Sequence, residues 1–112
     1  MRQAHRPSVA NRGRFLHLGV CRLSLHLPES QSLKDKRQVA RSLTARIRQQ
    51  FNVAVSEDSE DQLWQRLELV VCALSNDPGH ANEMLSRVVN YVEDTRRDLE
   101  LLDYSTELIS GV

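Results

Sequence analysis

Alternating hydrophobic and polar residues predict a first β-strand from Phe15 to Leu27. Successive side chains of a strand point to opposite faces, so one face here collects only small or apolar residues, while the other is mixed. Pro28 ends the strand, because proline has no backbone N–H to donate. The apolar face comprises Gly19, Cys21, Leu23, Leu25 and Leu27.

A helical repeat of apolar residues follows and predicts a helix from Leu33 to about Gln50. Ser32 and Asp35 resemble a capping box, with Asp at the position that usually holds Glu. The helix is expected to bury one stripe and to expose a basic stripe on the opposite arc. The buried stripe comprises Leu33, Ala40, Leu43, Ile47 and Phe51. The basic stripe comprises Lys34, Arg37, Arg41 and Arg48.

The rest of the chain predicts a short strand, a buried strand, a second helix and a final strand. An acidic connection precedes the buried strand, and one helical turn is expected around Trp64. Asp77 is predicted to cap the second helix, with Pro78 at its first position. The four elements are expected at residues 52–57, 67–75, 79–95 and 99–109.

This order of elements predicts a ferredoxin-like βαββαβ split sandwich of the α+β class. In this fold, a four-stranded antiparallel sheet carries both helices on one face. The 112 residues suffice for one domain, which we place at residues 15–110. Residues 1–14 contain four arginines and few apolar side chains, so we expect them to form a disordered basic arm.

The net charge of zero conceals a strong asymmetry along the chain. Residues 1–56 carry eleven Lys or Arg against two acids, a net charge of +9. Residues 57–112 carry four Arg against thirteen acids, a net charge of −9. Such a split favours a polyanionic partner for the basic half, or self-association of the positive surface of one copy with the negative surface of another. The alternative is that folding mixes the two halves and neutralises their charges locally.

No pattern in the sequence points to catalysis, a metal or a cofactor. The four glycines form no phosphate-binding loop, and the four histidines lack ligand spacing. Cys21 and Cys72 are expected on opposite faces as free thiols. An acylphosphatase-like alternative would combine Lys36 and Arg37 with Asn76, without the glycine-rich cradle of those enzymes. Because these catalytic patterns are missing, we expect that the protein is not an enzyme. No apolar run reaches the roughly 18 residues of a membrane span, so we expect a cytoplasmic protein.

Two surfaces are candidate binding sites. The basic stripe, joined by Lys36, combines cations with the N–H groups of a helix N-terminus, which suits phosphate; the alternative is a merely solvated face. The open sheet face, with Val20, Arg22 and Val70, offers a homodimer surface or simply a lightly exposed sheet. Trp64 is either an anchor for a partner or a lid over the core. Because no aromatic ring is expected on this face of the two central strands, base stacking there is disfavoured.

Five motifs resemble, in order, those of the YlxP-like family of small bacterial proteins. They are GVCRLSLHLP (19–28), SLKDKRQV (32–39), FNVAV (51–55), DQLWQR (61–66) and SND (75–77). The resemblance covers about residues 18–108 and implies a ferredoxin-like fold with no assigned catalytic residues. Genes of this family often lie beside genes for translation initiation, transcription antitermination and the small-subunit ribosome-binding factor. The resemblance therefore implies an RNA or a ribosomal subunit as partner.

Overall fold

Six elements form one sheet covered by two helices. The computed structural model describes residues 15–58 and 63–112. The predicted basic arm at residues 1–14 lies outside this part of the chain. The elements are β1 (His17–His26), α1 (Leu33–Gln50), β2 (Ala54–Glu57), β3 (Arg66–Ser75), α2 (Pro78–Thr95) and β4 (Glu100–Ser110).

The sheet is antiparallel throughout, with the strand order β2-β3-β1-β4. The strands β1 and β3, of ten residues each, lie at its centre, while the four-residue β2 and the eleven-residue β4 form its edges. Helix α1 packs over β2 and β3, and α2 packs over β3, β1 and β4. This is the ferredoxin-like split sandwich of the α+β class that the order of elements predicts.

A single apolar layer between the sheet and the helices forms the core. The face of β1 that the alternation predicts to be apolar is buried, and β3 contributes every second residue from Leu67 to Ala73. Helix α1 contributes Ala40, Leu43 and Ile47. Helix α2 contributes Ala81, Leu85, Val88, Val89 and Val92. Full burial of a Val, Leu or Ile side chain stabilises the fold by about 1.5–3 kcal/mol.

Gly19 allows α2 to approach the sheet closely. A Cβ atom at this position would lie 2.8 Å from Cδ1 of Leu85. Any side chain on Gly19 would therefore require Leu85 to move within a close-packed core. The contact between Gly19 and Leu85 depends both on the register of β1 and on the height of α2 above the sheet.

Both helices begin as their caps predict. The Ser32 hydroxyl accepts the Asp35 N–H at 3.0 Å, and the Asp35 carboxylate accepts the Gln31 N–H at 2.9 Å. Asp77 caps α2 by accepting the Gly79 N–H at 2.9 Å. Each cap satisfies helix N–H groups that lack a carbonyl partner within the helix.

The helical turn predicted around Trp64 is wrong for the residues that the structure describes. The chain makes a turn at Trp64 and Gln65 and enters β3 at Arg66. The Leu27 N–H donates to the Gln65 carbonyl at 2.9 Å, and the Gln65 amide donates to the Pro28 carbonyl at 3.1 Å. These bonds to the loop after β1 take the place of helical ones.

Within residues 15–58 and 63–112, no helix is long and apolar enough to cross a membrane.

Candidate nucleic-acid interface

The basic stripe of α1 lies beside the edge of the sheet. Lys34, Arg37, Arg41 and Arg48 are all exposed. At 100° per residue, the stripe centre lies about 120° from the centre of the buried residues, so the stripe occupies a flank of the helix. The opposite arc predicted for these residues is therefore wrong, because α1 sits over the edge of the sheet and turns this flank toward β2.

Arg48 shows how close this flank comes to β2. Its guanidinium donates to the Val55 carbonyl at 2.6 Å. A shallow depression of about 170 Å³ lies beside this bond, with Arg41 and Thr44 on the helix side and Glu57 on the strand side. The bond fixes the guanidinium at the sheet edge, where its remaining N–H groups stay at the surface of the protein.

Lys36 does not belong to this exposed stripe. It is 3% exposed, and its ammonium donates to the Leu63 carbonyl at 3.0 Å. The sequence places Lys36 among the anion-binding residues because it lies between Lys34 and Arg37. However, its position on the helix faces the core side, where it holds the segment that leads into β3. We therefore assign Lys36 a structural role.

The N-terminus of α1 already holds a carboxylate. Asp35 lies in the first turn, and its side chain bonds back to the Gln31 N–H. A negative charge here is favourable because the helix dipole is positive at this end. The capping box thus fills the place that the sequence offers to a phosphate, and the flank of the helix is the more accessible basic surface.

Folding mixes the two charged halves on the sheet but leaves the flank of α1 unpaired. On the open face, the Arg22 guanidinium pairs with Asp58 at 2.8 Å, and His26 Nδ1 is hydrogen-bonded to Glu100 Oε1 at 3.0 Å. Of the ion pairs found among the described residues, none involves the stripe of α1. Helix α1 carries six basic residues and one acid, a net charge of +5. Positive charge therefore concentrates on one flank of the molecule.

The residues of the second candidate binding surface, the open sheet face and Trp64, do not all lie together. Val20, Arg22 and Val70 are neighbours on the open face, since Arg22 pairs with Val70 in the β1–β3 register. Val20 and Val70 are half-buried, and the Arg22 guanidinium is held by Asp58. Trp64 precedes Arg66, the first residue of β3, and is 52% exposed. The structure thus brings the first three residues together and leaves Trp64 apart.

Trp64 lines a cleft of about 420 Å³ at the end of the sheet. His26, Leu63, Gln65 and Arg66 complete the lining. The indole therefore borders an open cleft and does not seal the core.

A polar cluster on the open face escaped the sequence analysis. The Ser24 hydroxyl donates to Glu68 Oε1 at 2.7 Å, while Glu68 Oε2 is buried and accepts no hydrogen bond within the part of the chain described. Arg66 lies 3.9 Å from that oxygen. Glu68 interrupts an otherwise apolar strand, and this interruption was the available signal.

The other residues that could take part in a reaction or bind a metal lie apart from one another. Burial raises the pKa of the Cys21 thiol to about 11, and Cys72 lies half-buried on the open face. Lys36 and Asn76 lie at opposite ends of β3, about 30 Å apart, so the acylphosphatase-like combination is not assembled. Among the described residues, no group of three or more His, Cys, Asp or Glu could hold a metal ion.

The architecture defines a small α+β protein of the ferredoxin-like class with a basic helix flank. The chain belongs to the family "Protein of unknown function (DUF503)", whose pattern matches residues 18–106. It is 28% identical over 76 residues to the "Uncharacterized protein YlxP" of Bacillus subtilis (strain 168), covering 68% of this chain and 83% of that protein. The predicted YlxP-like family is therefore confirmed.

A solved structure shares the fold. The "De novo designed protein Foldit4" matches with a TM-score of 0.50 and 10% sequence identity. The match covers 87% of this chain and 99% of the designed protein. At this identity, the likeness concerns the fold alone.

Proposed function

We propose that the protein is a non-enzymatic accessory factor that binds RNA, in particular ribosomal RNA, through the basic flank of α1. The observation that carries the proposal is a row of exposed cations for which the described part of the chain contains no ion-pair partner. These cations are Lys34, Arg37, Arg41 and Arg48. The gene neighbourhood of the YlxP-like family supports a ribosomal partner.

The geometry of the flank suits a phosphate backbone. From Lys34 to Arg48 the helix rises by about 21 Å, which is long enough to lie beside several successive phosphates. Arginine binds phosphate through paired N–H groups in a fixed plane. The hydrogen bond from Arg48 to Val55 positions one such plane at the sheet edge.

Binding through this flank would be insensitive to base sequence. Phosphate contacts position a protein on RNA, while sequence is read by contacts with base edges and by stacking. The open-face positions Val20, Arg22, Val70 and Cys72 of the central strands carry no aromatic ring on which bases could stack. We therefore expect affinity that depends on salt and on RNA shape more than on sequence.

The experiment is co-sedimentation of the full chain with ribosomal subunits at about 50–300 mM salt. The test variant reverses three charges of the flank: Lys34→Glu, Arg37→Glu and Arg41→Glu. Loss of co-sedimentation in this variant, with an unchanged circular-dichroism spectrum, is the expected result.

A charge-matched control separates the flank from net charge. Arg46→Glu, Arg87→Glu and Arg97→Glu reverse three exposed cations elsewhere on the surface. This control is expected to retain most of the binding. Equal loss in both variants would show a general charge effect, and retained binding in the test variant would refute the proposed interface.

A further inference from the structure

The two edges of the sheet are unequal. Strand β2 has four residues, and Arg48 of α1 binds its Val55 carbonyl. That carbonyl points away from the sheet, because the Asp58 N–H donates to Glu68 on β3 and alternate residues point to opposite sides. Strand β4 has eleven residues, and neither Lys, Arg nor Pro occurs in it. Short length, charged side chains, proline and β-bulges are devices that protect an edge from pairing with another chain. The acids of β4 lie on the open face alone, and its bulge lies at Leu102, so the helix-side face of residues 103–110 carries none of these devices.

The register of β4 identifies which of its backbone groups face outward. The Gly111 N–H donates to the Leu16 carbonyl at 2.9 Å, so alternate residues from Gly111 back to Asp103 point toward β1. The backbone groups of Tyr104, Thr106, Leu108 and Ser110 therefore point away from the sheet. The Tyr104 N–H contacts the adjacent Asp103 carboxylate at 2.9 Å.

The same strand exposes large apolar side chains. Tyr104 is 51% exposed and Leu108 is 37% exposed, both on the helix side of the sheet. A groove of about 150 Å³ separates Tyr104 and Thr106 from α2. The flank of α2 that lines this groove is uncharged, with Ser86 and Asn90 at the surface. Four of the ten large exposed hydrophobic residues found in the described chain lie on β4, namely Leu102, Tyr104, Leu108 and Ile109.

We infer that β4 pairs antiparallel with β4 of a second copy of this chain, which joins two sheets into one of eight strands. The bulge at Leu102, between the pairs Ser24–Asp103 and Leu25–Leu101, limits regular pairing to residues 103–110. The centre of a two-fold ladder over this range falls at Thr106 or Glu107. A centre at Glu107 would set two carboxylates face to face, so Thr106 is the centre.

This register is self-complementary for both faces. Tyr104 lies opposite Leu108 of the partner subunit on the helix side, once on each side of the axis. On the open side, Asp103 lies opposite Ile109 and Glu107 lies opposite Ser105, so no two acids are directly opposed. A shift that centres the ladder on Ser105 would oppose Asp103 and Glu107 directly, which is unfavourable. The distribution of acids therefore favours the register centred on Thr106 for the ladder between two copies.

The pairing has a characteristic response to salt. Asp103 and Glu107 of both subunits lie diagonally near one another on the open face, where repulsion weakens with ionic strength. The dimer is therefore expected to tighten as salt rises, in contrast to binding of RNA. Because the two processes use opposite edges of the sheet, loss of either leaves the other intact.

The first test is sedimentation equilibrium of the full chain at up to about 100 μM, where a micromolar dimer is readily detected. Leu108→Lys is expected to weaken the dimer about tenfold or more, because it removes an apolar contact and places like charges on both sides of the axis. Thr106→Pro removes one outward N–H without removing a bond to β1, and it is expected to have the same effect. The control Leu74→Lys alters an exposed apolar residue of the open face and is expected to leave the dimer unchanged.

A cysteine at the axis tests the register. Thr106→Cys in a background of Cys21→Ala and Cys72→Ser, which removes the thiol that faces residue 106 from β1, places two thiols of the two subunits opposite each other. Their Cα atoms lie about 5.5 Å apart, which is within disulfide range. With oxidised glutathione, this variant is expected to form a covalent dimer, whereas Ser110→Cys in the same background is not. Slow amide exchange at Thr106 and Leu108 in the dimer would support the register centred on Thr106.

Three results would overturn the proposal. A monomer at all concentrations would do so, as would a dimer that survives Leu108→Lys and Thr106→Pro in folded protein. A dimer lost in Leu74→Lys would assign the interface to the open sheet face. Slow exchange at Thr106 in a monomer would mean that another segment of the same chain covers the edge.

Discussion

The ammonium group of Lys36 is buried, although Lys34 and Arg37 beside it in the sequence are exposed. Its hydrogen bond to the Leu63 carbonyl joins the first turns of α1 to the segment before β3. A buried charged group stabilises a fold only when it is hydrogen-bonded, and removal of its donor leaves the acceptor unsatisfied. Position on the helix, and not charge, therefore separates the role of Lys36 from that of its neighbours.

Replacement of Lys36 by Met should lower stability and spare RNA binding. The apolar stem is retained, while the bond to Leu63 is lost, so we expect a decrease of about 1–3 kcal/mol in the free energy of unfolding. The matched variant Lys34→Met should change stability by less than about 0.5 kcal/mol and weaken RNA binding. Urea unfolding and co-sedimentation measure the two effects. Reversed outcomes would return Lys36 to the binding surface.

At the scale of elements, one arginine fastens the end of α2. Arg96 donates to Asp98 at 2.9 and 2.6 Å and to the Ser42 hydroxyl of α1 at 3.1 Å. The link joins both helices and the connection to β4. The hydrogen bond from Arg96 holds the pKa of Asp98 below its usual value of 3.8, despite partial burial, which acts in the opposite direction.

This lowered pKa predicts acid sensitivity. The stabilisation is present above the unfolded-state pKa of about 3.9 and is lost as the pH falls through the lower folded-state value, because the unfolded chain then binds the proton more tightly. Asp98→Asn should be less stable than wild type at pH 7, and this difference should shrink below about pH 4. Thermal unfolding between pH 7 and 2 measures it. Asp94→Asn, at an exposed acid of α2, is the control and should keep the wild-type pH dependence.

The elements themselves were well predicted from local signals. The observed bounds of α1 and α2 agree with the predicted ones because Ser32, Asp35, Asp77 and Pro78 mark where the helices begin. The conformation at Trp64, a turn that leads directly into β3, was not predictable. Its backbone is decided by bonds to the loop after β1, and no local pattern contains that partner.

At the scale of the whole molecule, the fold carries opposite charges toward its two edges. The basic flank of α1 lies at the β2 edge, while β4 contributes Glu100, Asp103 and Glu107 at the other. Among the described residues, a charge of the basic half meets an acid of the other half on the sheet, where Arg22 pairs with Asp58.

This arrangement predicts opposite salt dependences for the two proposed contacts. Four phosphate contacts to a single strand should give a slope of about −3 for log K against log salt, and the dimer should instead tighten. Titrations of both processes over the same salt range measure the slopes. A flat slope for RNA would contradict phosphate binding by the flank, and a dimer that weakens with salt would contradict the β4 register.

The sequence by itself determined the class of fold, the order and approximate bounds of the elements, the buried stripes and the cations of α1. These features follow from periodicity, caps and turns, which act over a few residues. Only the tertiary structure decided that Lys36 bonds to the Leu63 carbonyl, that the basic stripe flanks β2, and that β4 has an exposed apolar edge. Each of these depends on which distant segment lies alongside, and strand order and helix placement are properties of the whole chain.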